Sequence, residues 1–145
     1  MVKKTAITIG YTASLVDLIV LGAYLTGAHW GHQTVACPTT SLIDCKLVLT
    51  GPGSVLVGLP LACWGALWAG LGFLFPRFMR VVWRHSTWIG LGVSGLVWAW
   101  THEILDGHIC LWCSAMQLFV MMAIVTSRVG VSRAARYEAT DWRSP

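Results

Sequence analysis

The sequence predicts an all-α integral membrane protein: a four-transmembrane-helix bundle with an extracytoplasmic loop segment between its first and second helices. Three observations carry that expectation. Of 145 residues, 56% are hydrophobic and 11% are charged, against about 25% charged in an ordinary soluble domain. Four apolar runs, at residues 5–28, 59–75, 87–105 and 109–126, approach the roughly 20 residues that a helix needs to cross the hydrocarbon layer. The basic residues fall in short clusters around those runs: Lys3 and Lys4, then Arg77, Arg80 and Arg84, then Arg128, Arg133 and Arg136.

Taken in order, the first run (5–28) follows Lys3 and Lys4 and so also resembles a secretory signal peptide. Its apolar part exceeds the usual h-region and no small-x-small cleavage site follows before His29, which favours a retained helix. Residues 29–58 form an outer loop, irregular or only briefly helical, because Pro38, Pro52, Gly51, Gly53 and Gly58 interrupt it. The runs at 59–75, 87–105 and 109–126 complete the bundle, and residues 127–145 form a polar tail, frayed from Ser132 onward. Four crossings put every cationic cluster on one side and leave Lys46 as the other side's one Lys or Arg, beside Asp44, Glu103 and Asp106. The positive-inside rule then places both termini in the cytoplasm and the cysteine-bearing segments outside an inner or plasma membrane. A formal charge of +4 without a continuous basic patch argues for lipid contact and against nucleic acid. No internal repeat or second domain is evident, so the whole chain reads as one membrane domain.

The chemistry lies in five cysteines: Cys37 and Cys45 in the outer loop, Cys63 in the second run, and Cys110 and Cys113 where the fourth begins. An oxidising exterior permits disulfides. Cys110 and Cys113, three apart, share a helix face. At a helix start, backbone N–H groups and the helix dipole favour a thiolate at Cys110. Static bracing is the plainer alternative, although a bridge spanning so short an interval constrains little chain entropy. A Cys₄ zinc site is the other alternative, with His29, His32, His102 and His108 on the same side, but the span from Cys37 to Cys45 lacks a zinc knuckle's short spacing.

"CPTTSLIDC", then "GSVLVGLP", then a helix pattern ending in "CLWC", with "AYLTGAH" closing the first run, resembles the short bacterial form of the vitamin K epoxide reductase family from about Gly22 to Met122. The order of the two motifs distinguishes it from four-helix thiol oxidases whose Cys-x-x-Cys lies in the first outer loop. The resemblance implies a membrane thiol oxidoreductase supporting disulfide formation. Cys113 would react with a quinone, menaquinone or ubiquinone, and Cys110 would be its exchange partner. Cys45 would bridge transiently to Cys110, and Cys37 would meet a thioredoxin-fold thiol donor protein. Each step would be thiolate attack on a disulfide.

The chain also departs from the family pattern. Gly51 stands where the family usually has a serine, so Thr50 or Ser54 would substitute in the quinone contact. There is no asparagine, and Gln117 replaces a tyrosine four residues after Cys113. Gln117 can still donate a hydrogen bond, and Trp112 would line the same pocket, as would Trp64 and Trp68. These departures favour a respiratory quinone over vitamin K epoxide. Thiol-driven reduction of quinone or vitamin K epoxide is the alternative within the family, and a disulfide-braced or metal-binding membrane protein the alternative outside it.

Asp17, in mid-membrane, is costly and suggests proton delivery or a neutral packing role. Cys63 reads as a small buried hydrophobe. Trp30, Trp83, Trp88 and Trp100 suit interfacial belts. His102, Glu103, Asp106 and His108 gather at the outer mouth, where they would tune Cys110, relay protons or simply meet water.

Overall fold

A computed structural model describes residues 2–33, 35–74 and 82–141. Its elements are α1 (Val2–Trp30), α2 (Cys45–Thr50), a 3₁₀ turn (Pro52–Ser54), β1 (Val55–Leu56), β2 (Leu59–Pro60), α3 (Leu61–Leu74), α4 (Val82–Asp106) and α5 (Leu111–Asp141). Among the described residues, two segments are long and apolar enough to cross a membrane, Thr5–Trp30 and Leu111–Val129, and α3 is a shorter apolar helix. The expected end of the second run at residue 75, with Arg77 and Arg80, lies outside the described residues, as do residues 142–145.

Helix α1 is the spine. Leu15, Leu18, Leu25 and Ala28 are buried along one face at spacings of three and four or their multiples, the signature of a helix packed lengthwise on neighbours. Its neighbours are α3 and α5. At Gly22 a Cβ would lie 2.7 Å from the Ala62 carbonyl oxygen and 2.8 Å from the Ala66 Cβ. Only glycine permits that approach of α1 to α3, as small residues do between apolar helices generally. The helix ends in a Schellman cap: His32 turns to φ 50°, Gln33 N–H reaches the Ala28 carbonyl at 3.0 Å and His32 N–H that of His29 at 3.4 Å.

Helices α3 and α4 are joined by a reciprocal tryptophan clamp. The rings of Trp68 and Trp88 stack 4.1 Å apart and 8° from parallel. Each indole donates to the other residue's backbone carbonyl, Trp68 Nε1 at 2.8 Å and Trp88 Nε1 at 3.1 Å. Each ring also occupies the place where a Cβ would stand on the glycine four residues beyond its partner, Gly92 beneath Trp68 and Gly72 beneath Trp88. The sequence writes this symmetry as WAGLG at 68–72 and WIGLG at 88–92, a short internal repeat where none is expected from the chain as a whole. Trp88 is therefore buried, 3% exposed, and not an interfacial residue. The side chain of Trp83 lies outside the described residues.

Two boundaries differ from expectation. Leu59 and Pro60 belong to a small antiparallel hairpin with Val55 and Leu56, so α3 starts at Leu61. Its turn, Val57–Gly58, has both residues at positive φ, 54° and 78°, the geometry that suits the twist of paired strands. The expected frayed tail is instead helical to Asp141. Beyond Gly130 the run SRAARYEAT contains no Gly or Pro and is rich in strong helix formers.

Candidate functional site

The outer loop is held by backbone pairing at a distance. Ile43 and Ile109 form an isolated parallel β-bridge, in which Ile109 N–H donates to the Leu42 carbonyl at 2.7 Å and Asp44 N–H to the Ile109 carbonyl at 3.3 Å. One residue beyond Ile109 is Cys110, and two beyond Ile43 is Cys45. The pairing therefore brings two cysteines 65 positions apart into one cluster, where buried Cys45, Val48 and Cys110 pack with Cys37 and Cys113. Asp44 caps α2 by accepting from Leu47 N–H at 3.0 Å, which fixes Cys45 as the first helical residue. The Trp112 indole donates to the Ala36 carbonyl at 2.9 Å and ties the chain just before Cys37 to α5. His29 Nδ1 meets the Leu49 carbonyl at 3.0 Å, anchoring α2 to the end of α1.

Within the cluster Cys37 and Cys45 form a disulfide, and Cys110 and Cys113 are thiols. Because α5 begins at Leu111, Cys110 is its N-cap and not a residue within the helix. The Cys113 N–H donates to the Cys110 sulfur at 3.2 Å, and Ser114 N–H to the Cys110 carbonyl at 2.8 Å. A thiol hydrogen bond from Cys113 pulls the Cys110 thiol below its ordinary range. Burial and the nearby Glu103 charge oppose the shift, while the Cys113 and Trp112 backbone N–H groups assist it. Cys110 thus combines complete burial with the features that make a thiolate nucleophile.

A second, polar group lies one turn deeper. Gln117 follows Cys113 by four residues and so shares its face of α5. It is 8% exposed, its Oε1 accepts from the Trp100 indole at 2.6 Å, and its amide nitrogen donates to Glu103 Oε2 at 3.3 Å. Glu103 Oε1 is buried with no hydrogen-bond partner. Trp100 thus takes part in this network while its ring stays 42% exposed.

The remaining candidates lie elsewhere or are engaged locally. The Thr50 hydroxyl donates to the Lys46 carbonyl at 2.8 Å within α2, and that of Ser54 to the Gly51 carbonyl at 2.7 Å. At Gly51 a Cβ would stand 3.0 Å from the Leu47 carbonyl oxygen, so a serine there would need the backbone to give slightly. Trp64 donates to the Leu56 carbonyl at 3.0 Å and Trp68 belongs to the clamp. The His102 ring fills the space beside Gly53 and lies 4.8 Å from that of Trp98, whose indole donates to the Gly53 carbonyl at 3.1 Å. His108 Nδ1 meets the Asp106 carbonyl at 2.8 Å. Asp17 is on the exposed side of α1, and Cys63 is a half-buried free thiol.

Two cysteine pairs in one cluster on an apolar helical scaffold define a membrane thiol-dependent oxidoreductase. The family model of the vitamin K epoxide reductase family matches residues 7–128, and the chain belongs to that family. No curated protein and no solved structure matches it significantly.

Proposed function

We propose that the protein passes electrons from an extracytoplasmic thioredoxin-fold protein, through Cys37 and Cys45 and then Cys110 and Cys113, to a membrane quinone, supporting disulfide formation. In this reading α1, α3, α4 and α5 form a four-helix bundle crossing the inner or plasma membrane. Both termini are cytoplasmic and the cysteine cluster is outside. The supporting observation is the Ile43–Ile109 bridge, which seats the Cys37–Cys45 disulfide against buried Cys110.

The thiol chemistry follows from that arrangement. A dithiol partner attacks the half-buried Cys37 side of the Cys37–Cys45 disulfide and leaves both as thiols. Cys45 then attacks Cys110 of a Cys110–Cys113 disulfide, which forms a Cys45–Cys110 bridge and releases the Cys113 thiolate; Cys37 attacks Cys45 in turn, re-forming the loop disulfide and leaving Cys110 and Cys113 as thiols. The state seen here, with the loop pair oxidised and Cys110 and Cys113 reduced, is the one that stands immediately before the quinone step. A bound quinone, menaquinone or ubiquinone, supplies the two-electron acceptor. The residues beside Cys113 fit such a group: the buried Gln117 amide and the unpartnered Glu103 oxygen form a polar spot in an apolar interior, as small-molecule sites commonly do.

Trapping tests the route. In a Cys37→Ala, Cys113→Ala double variant, mild oxidation should join Cys45 to Cys110, because neither neighbouring thiol remains to displace the bridge. Non-reducing digestion and mass spectrometry should recover that linked peptide. Recovery of free thiols alone, or of bridges to Cys63, contradicts the relay.

A further inference from the structure

The relay accounts for the sulfurs but leaves Glu103 unexplained, a carboxylate in a largely apolar helix with one buried oxygen bonded to nothing. Burying such an oxygen without a partner is costly, the more so for a charged group, so the site calls for a role. We propose that Glu103, held by Gln117 and Trp100, is the group that moves the proton between the Cys110–Cys113 thiols and the quinone. The inference rests on the quinone-reduction reading above and names the proton path of that same site.

The balance of the step requires such a group. When two thiols become a disulfide, two S–H bonds break, one S–S bond forms, and two electrons and two protons leave; quinone takes up two of each to become hydroquinone. The electrons need only sulfur in contact with the ring. The protons need an acceptor that then becomes a donor, in a place that water does not reach freely. As a carboxylate, Glu103 takes one thiol proton while the S–S bond forms and, as a carboxylic acid, gives it to a quinone oxygen; returned to the carboxylate, it passes the second proton to the other quinone oxygen in the same way.

Geometry favours Glu103 over its neighbours. Its carboxylate accepts from Gln117, which lies one turn beyond Cys113 on the same face of α5 and so sets Glu103 beside the thiol pair. Gln117 donates to one oxygen, Oε2, and is itself oriented by the Trp100 indole, which leaves the other oxygen for the proton. Of the titratable groups around it, Cys110 and Cys113 belong to the start of α5, and His102 and Asp106 flank it on α4. The His102 ring is wedged beside Gly53, while Asp106 lies by Gly51 and engages His108 only through its carbonyl. Asp17 is on the exposed side of α1.

The experiment has two arms on the full-length protein in detergent. In the first, Glu103→Gln and Glu103→Asp are assayed for reduction of a short-chain menaquinone analogue by dithiothreitol. Glu103→Gln should lower kcat about a hundredfold, the low end for a lost general acid or base, with KM for the quinone unchanged. Glu103→Asp should recover part of the loss. The second arm uses quinone-free, reduced protein and follows the rate of Cys110 alkylation against pH. Removing a carboxylate that opposes the thiolate should move the Glu103→Gln profile to lower pH. Wild-type kcat in Glu103→Gln, or an unchanged alkylation profile, overturns the assignment, as does an equal loss in Glu103→Asp. If the wild-type protein itself reduces no quinone, the function proposed above fails, and the alkylation arm still decides whether Glu103 acts on the thiols.

Discussion

Helix α4 carries a different kind of contact at each end. Near its start, Trp88 stacks on Trp68 with two mutual hydrogen bonds and two glycines hollowed to receive the rings. Just past its end, the cysteine cluster is assembled by one β-bridge, one N-cap thiol and a few single hydrogen bonds from Trp112, His29 and Asp44. The first arrangement has one low-energy packing, because large aromatic area and both indole donors are satisfied together. The second is a set of separate tethers around sulfurs that must change partners. Rigidity at one end and replaceable bonds at the other are what thiol exchange on a fixed scaffold requires.

The largest expected effect separates the two ends by function. Cys113→Ser should abolish quinone reduction with either dithiothreitol or a protein donor while leaving thermal unfolding of the detergent-solubilised protein unchanged. Cys37→Ser should retain much of the dithiothreitol-driven rate, since a small reductant reaches Cys110 and Cys113 without the loop. Equal losses in both variants would break the division between the loop pair and the helix pair.

The converse substitution is Trp68→Ala. It removes a buried ring and its hydrogen bond to the Trp88 carbonyl, at a cost of about 3–5 kcal/mol for losing a large core aromatic. Thermal unfolding should show that loss. Below the unfolding transition the Cys37–Cys45 disulfide should still form, as non-reducing mass spectrometry can check. A variant as stable as the wild type would mean that the clamp is not the rigid end.

How much of this was legible in the sequence depends on the distance between interacting residues. The two cysteine motifs are visible in local spacing, and so are α1, α3, α4 and α5, because a helix is written in neighbouring residues. Proximity of Cys45 to Cys110 is not written locally: it depends on Ile43 pairing with Ile109, two apolar residues that look like any others. The same is true of Gln117 with Trp100 and Glu103, which lie on different helices. Trp88 was misread because position along a helix suggested an interface, whereas its partner twenty residues away decides its burial. The WAGLG and WIGLG repeat was visible all along, and it becomes meaningful only once two rings are seen to need two hollows.

A smaller effect sharpens the account of the N-cap thiol. The Cys113 thiol is the largest cause of the depressed Cys110 titration, so Cys113→Ala should shift the pH profile of Cys110 alkylation upward. The sign follows from the thiolate fraction. Between the two midpoints the wild-type Cys110 is more ionised and reacts faster; below both it is protonated in each protein, and above both it is ionised in each, so the advantage vanishes. Alkylation rates measured across the range on reduced protein would test this. Coincident profiles would show that the helix-start N–H groups, which the variant keeps, set the titration by themselves.

The smallest effect lies in the hairpin between the two ends. Val57 holds φ 54° and is 86% exposed, so it accepts left-handed backbone strain without burying its side chain in return. A β-branched residue is among the worst suited to that conformation, and asparagine before glycine is the preferred pair for this turn. Val57→Asn should therefore stabilise the protein by about 0.5–1 kcal/mol, the scale of backbone substitutions that fit the native φ and ψ. Chemical denaturation in detergent can resolve a gain of that size, and the dithiothreitol-driven rate should stay unchanged because the turn makes none of the cluster's contacts. Loss of stability instead would mean that the exposed valine contributes through an apolar surface that covers it, and the hairpin would then belong with the packed end of the molecule and not with the tethered one.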